Sequence, residues 1–275
     1  MKLTYGSLFY FGYILFAILL MLILFFVLRK RTVKTQKIVI LSLIMLNFIQ
    51  HVTKAWFWYP LYQGKFDLLE ITLCNICATN IFLSPFIFLS KNKFAKDALF
   101  FFGTLGGIGS LICPFNFENR EIFSQAYIWD FIRFYSCHVI IFTTSILPVM
   151  LGLHHIKLKR FWMLGISYLI LEGIVLADNI FIGALSRGIT IKESYDIIYN
   201  NNPLWISHPP IASDALGRLF ALMKLDWAIY DPTKTYIPVI YSSFIVYPMV
   251  TLIAVISMPL LSKIKQREDE PIFKR

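Results

Sequence analysis

Charge is scarce in this sequence. Only 15% of its 275 residues are Asp, Glu, Lys or Arg while 57% are hydrophobic, well short of the roughly 25% charge of soluble domains. That shortfall excludes a water-soluble globular protein. Cysteine is sparse too, and the four cysteines, Cys74, Cys77, Cys113 and Cys137, lie scattered over three apolar stretches, which makes no disulfide framework. No internal repeat or low-complexity linker divides the chain. The turn-rich segments PFNFENR and NNNPLWISHPP carry no phosphate cradle or metal motif, so no cofactor and no metal are expected. Acidic residues number 16 against 26 basic ones. The resulting net charge of +10 would suit a nucleic-acid binder, but the placement of the basic residues argues against one.

What the sequence has in plenty is apolar runs near the ~20 residues that cross a bilayer. They occur at 7–28, 37–59, 68–90, 95–113, 127–153, 160–185 and 235–261. The expected fold is an all-α polytopic bundle of seven transmembrane helices, the second, third and fifth interrupted by polar residues. Basic residues collect in alternate connections: Arg29 to Lys37, Lys91 to Lys96, Lys157 to Arg160, and the tail from Lys263 to Arg275. The positive-inside rule then puts the N-terminus outside and the C-terminus inside, in a multi-pass protein of the cell membrane. Residues 1–28 read as a first span and not as a signal peptide, since only Lys2 precedes the run and no small-x-small site closes it. The whole of 1–275 reads as a single integral membrane domain. Its outer loop, 186–234, holds a segment, 214–230, with Leu216, Leu219, Phe220, Met223 and Trp227 at helical spacing. That segment is expected to lie as an interfacial helix, either as a lid over a lipid entrance or simply packed on the bundle.

Within the third run stands ITLCNICATN, residues 71–80, where leucines would be ordinary. Each polar side chain in a membrane must find a partner inside the protein or cost free energy. At a rise of about 1.5 Å per residue, Cys74 lies roughly 9 Å and His138 roughly 16 Å from the outer start of their spans. Asn179 and His51 fall in the same outer half. Asn47, His51, Lys54 and Trp58 make one stripe on the second span, and Glu172, Asn179 and Gly183 share a face of the sixth. His138 shares its side with Phe131, Phe134, Tyr135, Phe142 and Ser145. Together these faces would line a polar pocket that opens outward.

The chemistry those groups allow is nucleophilic catalysis by cysteine assisted by histidine. His138 would take the proton as Cys74 attacks an ester carbonyl and return it to the leaving alkoxide. Asn75 and Asn179 would donate to the oxyanion. Thr72, His51 and Tyr135 would complete the pocket. Attack on a phospholipid gives an acyl thioester that a second lipid's hydroxyl, or water, resolves. Simpler accounts compete: Cys77, Cys113 and Cys137 read as small buried hydrophobes, and Cys74-x-x-Cys77 as a redox or metal pair lacks a second ligand pair. His154 and His155 read as part of a solvated basic loop. A non-enzymatic transporter or scaffold using the same polar stripe is the alternative function, although no inverted repeat supports it.

The order of elements resembles the YwaF and TMEM164 family of polytopic membrane proteins. LLEITLCNIC is similar to that family's leucine-rich entry to a catalytic cysteine, here Cys74, and DFIRFYSCHVIIF to its aromatic helix ending in a histidine, here His138. FFGTLGGIGSLICP looks like its glycine-rich fourth helix closing with proline, here Pro114. LADNIFIG stands at its asparagine-aromatic motif, with Ile180 after Asn179 where an aromatic is usual. Thr72 stands where the family tends to have histidine or glutamine, and the loop before the last span is longer. The resemblance implies an acyltransferase of lipid metabolism that moves fatty acyl chains between phospholipids and lysophospholipids, with no nucleic-acid partner.

Overall fold

The computed structural model describes residues 4, 6–58, 68–112, 121, 124 and 128–201, and short pieces between 221 and 264 (221–222, 224–226, 229–234, 236, 248, 250–252, 254–257 and 264). Cys113, Pro114 and the larger part of the expected interfacial helix 214–230 lie outside the described residues, as does most of the expected seventh span. Among the described residues every regular element is helical: α1 (Leu8–Leu28), α2 (Val33–Trp58), α3 (Ile76–Leu89), α4 (Lys93–Ile112), α5 (Ile128–Met150), α6 (Trp162–Arg187) and α7 (Ile191–Asn201). Two 3-10 turns, Leu68–Ile71 and Leu158–Arg160, precede α3 and α6. Five of these helices, α1, α2, α4, α5 and α6, are long and apolar enough to cross a membrane. The chain is a membrane protein of helical architecture.

Its outside is apolar. Phe11, Leu15, Phe16 and Ile23 on α1 and Trp162, Ile170 and Phe181 on α6 are exposed, where a soluble helix would carry charge. Inside, α4 and α5 form the central pair, with α2 and α3 against them, α1 along α5, and α6 against α3 and α4. Small residues let α4 and α5 touch backbone to backbone: a methyl group at Gly107 would lie 2.7 Å from the Phe142 nitrogen, and one at Gly103 would overlap Ser145. Tyrosines of α1 close the last turn of α4. The Tyr10 hydroxyl donates to the Ile112 carbonyl at 2.7 Å and that of Tyr13 to Leu111, satisfying carbonyls that a helix end leaves open.

At the end carrying the basic connections, the α5–α6 linker folds inward. Asp97 of α4 accepts two hydrogen bonds from Arg160, at 2.5 and 2.9 Å, and contacts His154 Nε2 at 2.6 Å. Arg160 also donates to the His155 carbonyl at 2.6 Å. All three side chains are buried. The expectation of a solvated loop is therefore corrected for His154: its partner lies 57 residues earlier, a distance no local reading bridges.

The third apolar run, 68–90, is the largest departure from continuous helices. Only Ile76–Leu89 is α-helix, and the turn at 72–75 leaves the helical path altogether. α2 and α5, by contrast, run unbroken through their polar residues. Pro85 inside α3 removes a donor from the Ile81 carbonyl, and the Ser84 hydroxyl donates to that same oxygen at 3.1 Å.

Candidate functional site

The break before α3 follows from Asn75. Its backbone is extended (φ −154°, ψ 169°), its Oδ1 accepts from the Ala78 amide at 2.9 Å and its carbonyl accepts from Thr79 N at 2.9 Å. Asparagine is among the best residues for this capping position because its short side chain reaches the first-turn amides. Cys74 is the residue just before the cap, half-buried, with Asn75 Nδ2 3.4 Å from its sulfur. Among the described residues the amides of Ile76 and Cys77 have no hydrogen-bond partner. Two open N–H groups and the positive end of a helix dipole thus lie beside the thiol.

Neighbouring helices pin the break from two sides. From α2, His51 Nε2 meets the Thr72 carbonyl at 3.0 Å; a carbonyl only accepts, so Nε2 carries the proton and Nδ1 is the basic nitrogen. From α6, Asn179 Nδ2 donates to the Cys74 carbonyl at 2.9 Å and to the Val175 carbonyl at 2.8 Å, and Asp178 accepts from the Thr72 hydroxyl at 2.7 Å. Leu68 N donates to Ser186 Oγ at 2.8 Å, and Lys54 Nζ meets Glu70 at 3.1 Å.

Several expected site residues therefore come together here: Cys74, Asn75, Thr72, His51 and Asn179. Their roles differ from the expectation in one respect. Both hydrogens of Asn179 Nδ2 are engaged by carbonyls, so Asn179 holds the turn in place and has none left for an oxyanion. The amides of Ile76 and Cys77 are the donors that remain open at this end of α3.

His138 stands apart. It is buried in α5, its Nδ1 meets the Phe134 carbonyl at 2.7 Å and its ring packs on that of Phe134 at 4.2 Å. By the same logic as for His51, Nδ1 carries the proton and Nε2 is basic. Among the described residues no hydrogen bond joins His138 to Cys74. Tyr135 faces α1, its hydroxyl donating to the Tyr13 carbonyl at 2.6 Å and its ring packing on Tyr13 and Phe131.

Cys77 and Cys137 sit among packing residues. Cys77 Sγ lies 3.8 Å from Ser110 Oγ against α4, and buried Cys137 reaches Gln50 Oε1 at 3.5 Å. Among the described residues no group of three or more His, Cys, Asp and Glu is arranged to hold a metal ion.

Sequence reasoning missed α7. Thr190 and Glu193 form a capping box in which the Thr190 amide donates to Glu193 at 2.8 Å and the Glu193 amide to Thr190 Oγ1 at 3.2 Å. The spacing Thr-x-x-Glu is readable in the sequence. The helix it starts packs on α6, with buried Ser194 donating to the Asn179 carbonyl at 3.2 Å. Gly183 permits this approach: a methyl group there would lie 3.1 Å from Ser194 Oγ and 3.2 Å from Leu69.

No curated protein and no solved structure matches the chain. A model of the TMEM164 family matches residues 5–230, well over half of the sequence, and the chain belongs to that family.

Proposed function

We propose that the protein is a multi-pass enzyme of the cell membrane that transfers a fatty acyl chain from a phospholipid to a lysophospholipid through a thioester on Cys74. The observation that carries this reading is the cap at Asn75, which sets a half-buried thiol beside two unpaired backbone amides at a helix N-terminus. A carbonyl attacked by sulfur develops negative charge on oxygen, and preorganised amides are what lowers the cost of that charge. The polar layer of Lys54, Glu70, Thr72, Asp178 and Asn179 supports it, since such a layer suits the ester region of a lipid better than its tails.

In this mechanism Cys74 sulfur bonds to the acyl carbon while its proton passes to a histidine. The C–O bond of the donor lipid then breaks, and that proton goes to the departing oxygen. An acceptor hydroxyl repeats the steps in reverse, and water in its place gives hydrolysis. His138 is the base, through Nε2, in a contact that forms with substrate bound, as catalytic hydrogen bonds often do. A second reading is favoured by one observation: His51 is bonded to the residue two before Cys74 and also has a free basic nitrogen, Nδ1.

The test is acyl transfer between phospholipids in reconstituted vesicles, followed by mass spectrometry. Cys74→Ala is expected to leave no transfer while the protein stays folded; undiminished transfer would dismiss the thiol as nucleophile. His138→Gln and His51→Gln separate the two bases, because the true base depresses transfer far more and alters its pH profile.

A further inference from the structure

Below the Cys74 turn lies a polar pair that the acyl-transfer reading does not use. Glu172 of α6 is fully buried, 0% exposed, and no hydrogen bond of ordinary geometry reaches either carboxyl oxygen. The Tyr168 hydroxyl, one turn back, lies alongside. Asn80 of α3 is 4% exposed, and its Nδ2 is buried without a partner. Of the buried polar atoms without a bonded partner, these are the carboxyl and amide groups nearest the middle of α6 and α3, and such groups are nearly always satisfied by protein or by water.

The contacts bring the two to one place. Ile76 and Leu83, which flank Asn80 on its face of α3, pack into the same cluster as Tyr168 and Leu171 of α6. The bond between Asn179 and the Cys74 carbonyl fixes the register of the two helices. Beyond the extended Asn75, Asn80 lies four residues into α3, about 6 Å past Ile76, and Glu172 lies seven residues back along α6 from Asn179, about 10.5 Å at ~1.5 Å per residue. With the extended step at Asn75 added, the two fall at similar depth, beside a cluster that includes Phe102 and Leu105 of α4.

No charge is at hand to hold Glu172 ionised. α3 carries no charged residue, and those of α4 lie at the basic end, where Asp97 is taken by Arg160 and His154. Lys159 and Arg160 of the 3-10 turn belong to that end as well. At the Cys74 end Asp178 is bonded to Thr72, Glu70 to Lys54, and Lys192, Glu193 and Asp196 of α7 are exposed. The described residues 250–257, which also join the cluster, bring none. A bare carboxylate in such surroundings is far more costly than the neutral acid.

We propose that Asn80 and Glu172 form an intramembrane site that binds one proton and one water molecule, the carboxyl resting as the neutral acid. The water accepts from Asn80 Nδ2 and exchanges hydrogen bonds with both carboxyl oxygens, giving it the two to four polar partners that buried waters have. Uptake forms an O–H bond on the carboxylate at the expense of hydronium, and release returns the proton to water. The site stands independently of whether Cys74 is a nucleophile.

Infrared spectroscopy of the whole protein in lipid vesicles at neutral pH tests this. The expected result is a protonated-carboxyl stretch that disappears in Glu172→Gln and moves when water is replaced by heavy water. Asn80→Leu is expected to shift that band without removing it. If Glu172→Gln does not fold, carbon-13 labelling of glutamate assigns the band in the native chain. Absence of the band at neutral pH would overturn the proton site, and a band at the high frequency of a carboxyl free of hydrogen bonds would overturn the bound water. A band identical in Asn80→Leu would separate the two residues and overturn the shared site.

Discussion

Two polar clusters sit at opposite ends of this bundle, and they are built on opposite principles. At the basic end, Asp97, His154 and Arg160 satisfy one another: both oxygens of Asp97 accept hydrogen bonds, and the guanidinium binds it through two nitrogens. At the other end, Cys74 is held by its backbone. Its carbonyl is fixed by Asn179 and Thr72 by His51 and Asp178, while the amides of Ile76 and Cys77 are left without partners among the described residues. The difference separates structure from chemistry. A closed cluster stabilises a fold but has nothing left to bind with, whereas a turn whose scaffold is satisfied and whose helix-end amides are not keeps donors to offer.

That comparison can be broken most forcefully at the closed end. Asp97→Ala leaves Arg160 buried without its carboxylate, and removing one partner of such a pair costs about 3–5 kcal/mol. Unfolding in detergent should report a loss of that size, while the molecules that remain folded keep their acyl transfer. A large fall in transfer with little loss of stability would mean the closed cluster is functional after all. Gly107→Ala comes next. Its methyl group meets the Phe142 backbone, and overpacking of this kind costs roughly 1–3 kcal/mol, read in the same unfolding assay.

At the open end the expected stability effects are smaller. Ser194→Ala removes one hydrogen bond to the Asn179 carbonyl, worth about 1 kcal/mol, and it should lower transfer by loosening the residue that holds Cys74. Hydrogen exchange of α7 and α6 amides would show whether the loosening stays local. The smallest effect is one of pH. The amide and hydroxyl of Thr190 donate to Glu193 and hold its carboxyl below the ordinary 4.5. A lowered acid contributes stability above its unfolded value and loses it as pH falls through the folded one. The first turn of α7 should therefore fray only on acidification below about 4.5, a change seen by exchange at Glu193 and Ser194 and absent in Glu193→Gln.

Much of this was legible in the sequence, for reasons specific to membranes. Five of the apolar runs are long helices, as expected where lipid offers the backbone no other partner, and the odd polar residues of ITLCNICATN fall where the third run leaves the helical path. What escaped was the form of the site. The sequence puts Asn75 in the third span as an oxyanion donor, whereas in the structure it is the N-cap that begins α3, and capping is a local signal that apolar context hides. Thr190 and Glu193 carry an explicit capping box but were absorbed into a loop. Asp97 with His154, and Asp178 with Thr72, pair residues far apart in the chain, and only the packing of α4, α5 and α6 could reveal them.

The shortness of α3 has an effect that extends past the protein. Its 14 residues rise only about 21 Å at ~1.5 Å each, against a hydrocarbon layer of ~30 Å. Lipids beside it must thin, tilt or splay to cover the deficit, because leaving polar backbone against their tails is costlier. In the acyl-transfer reading proposed above, such thinning at the Asn75 end of α3 would bring glycerol esters closer to the depth of Cys74.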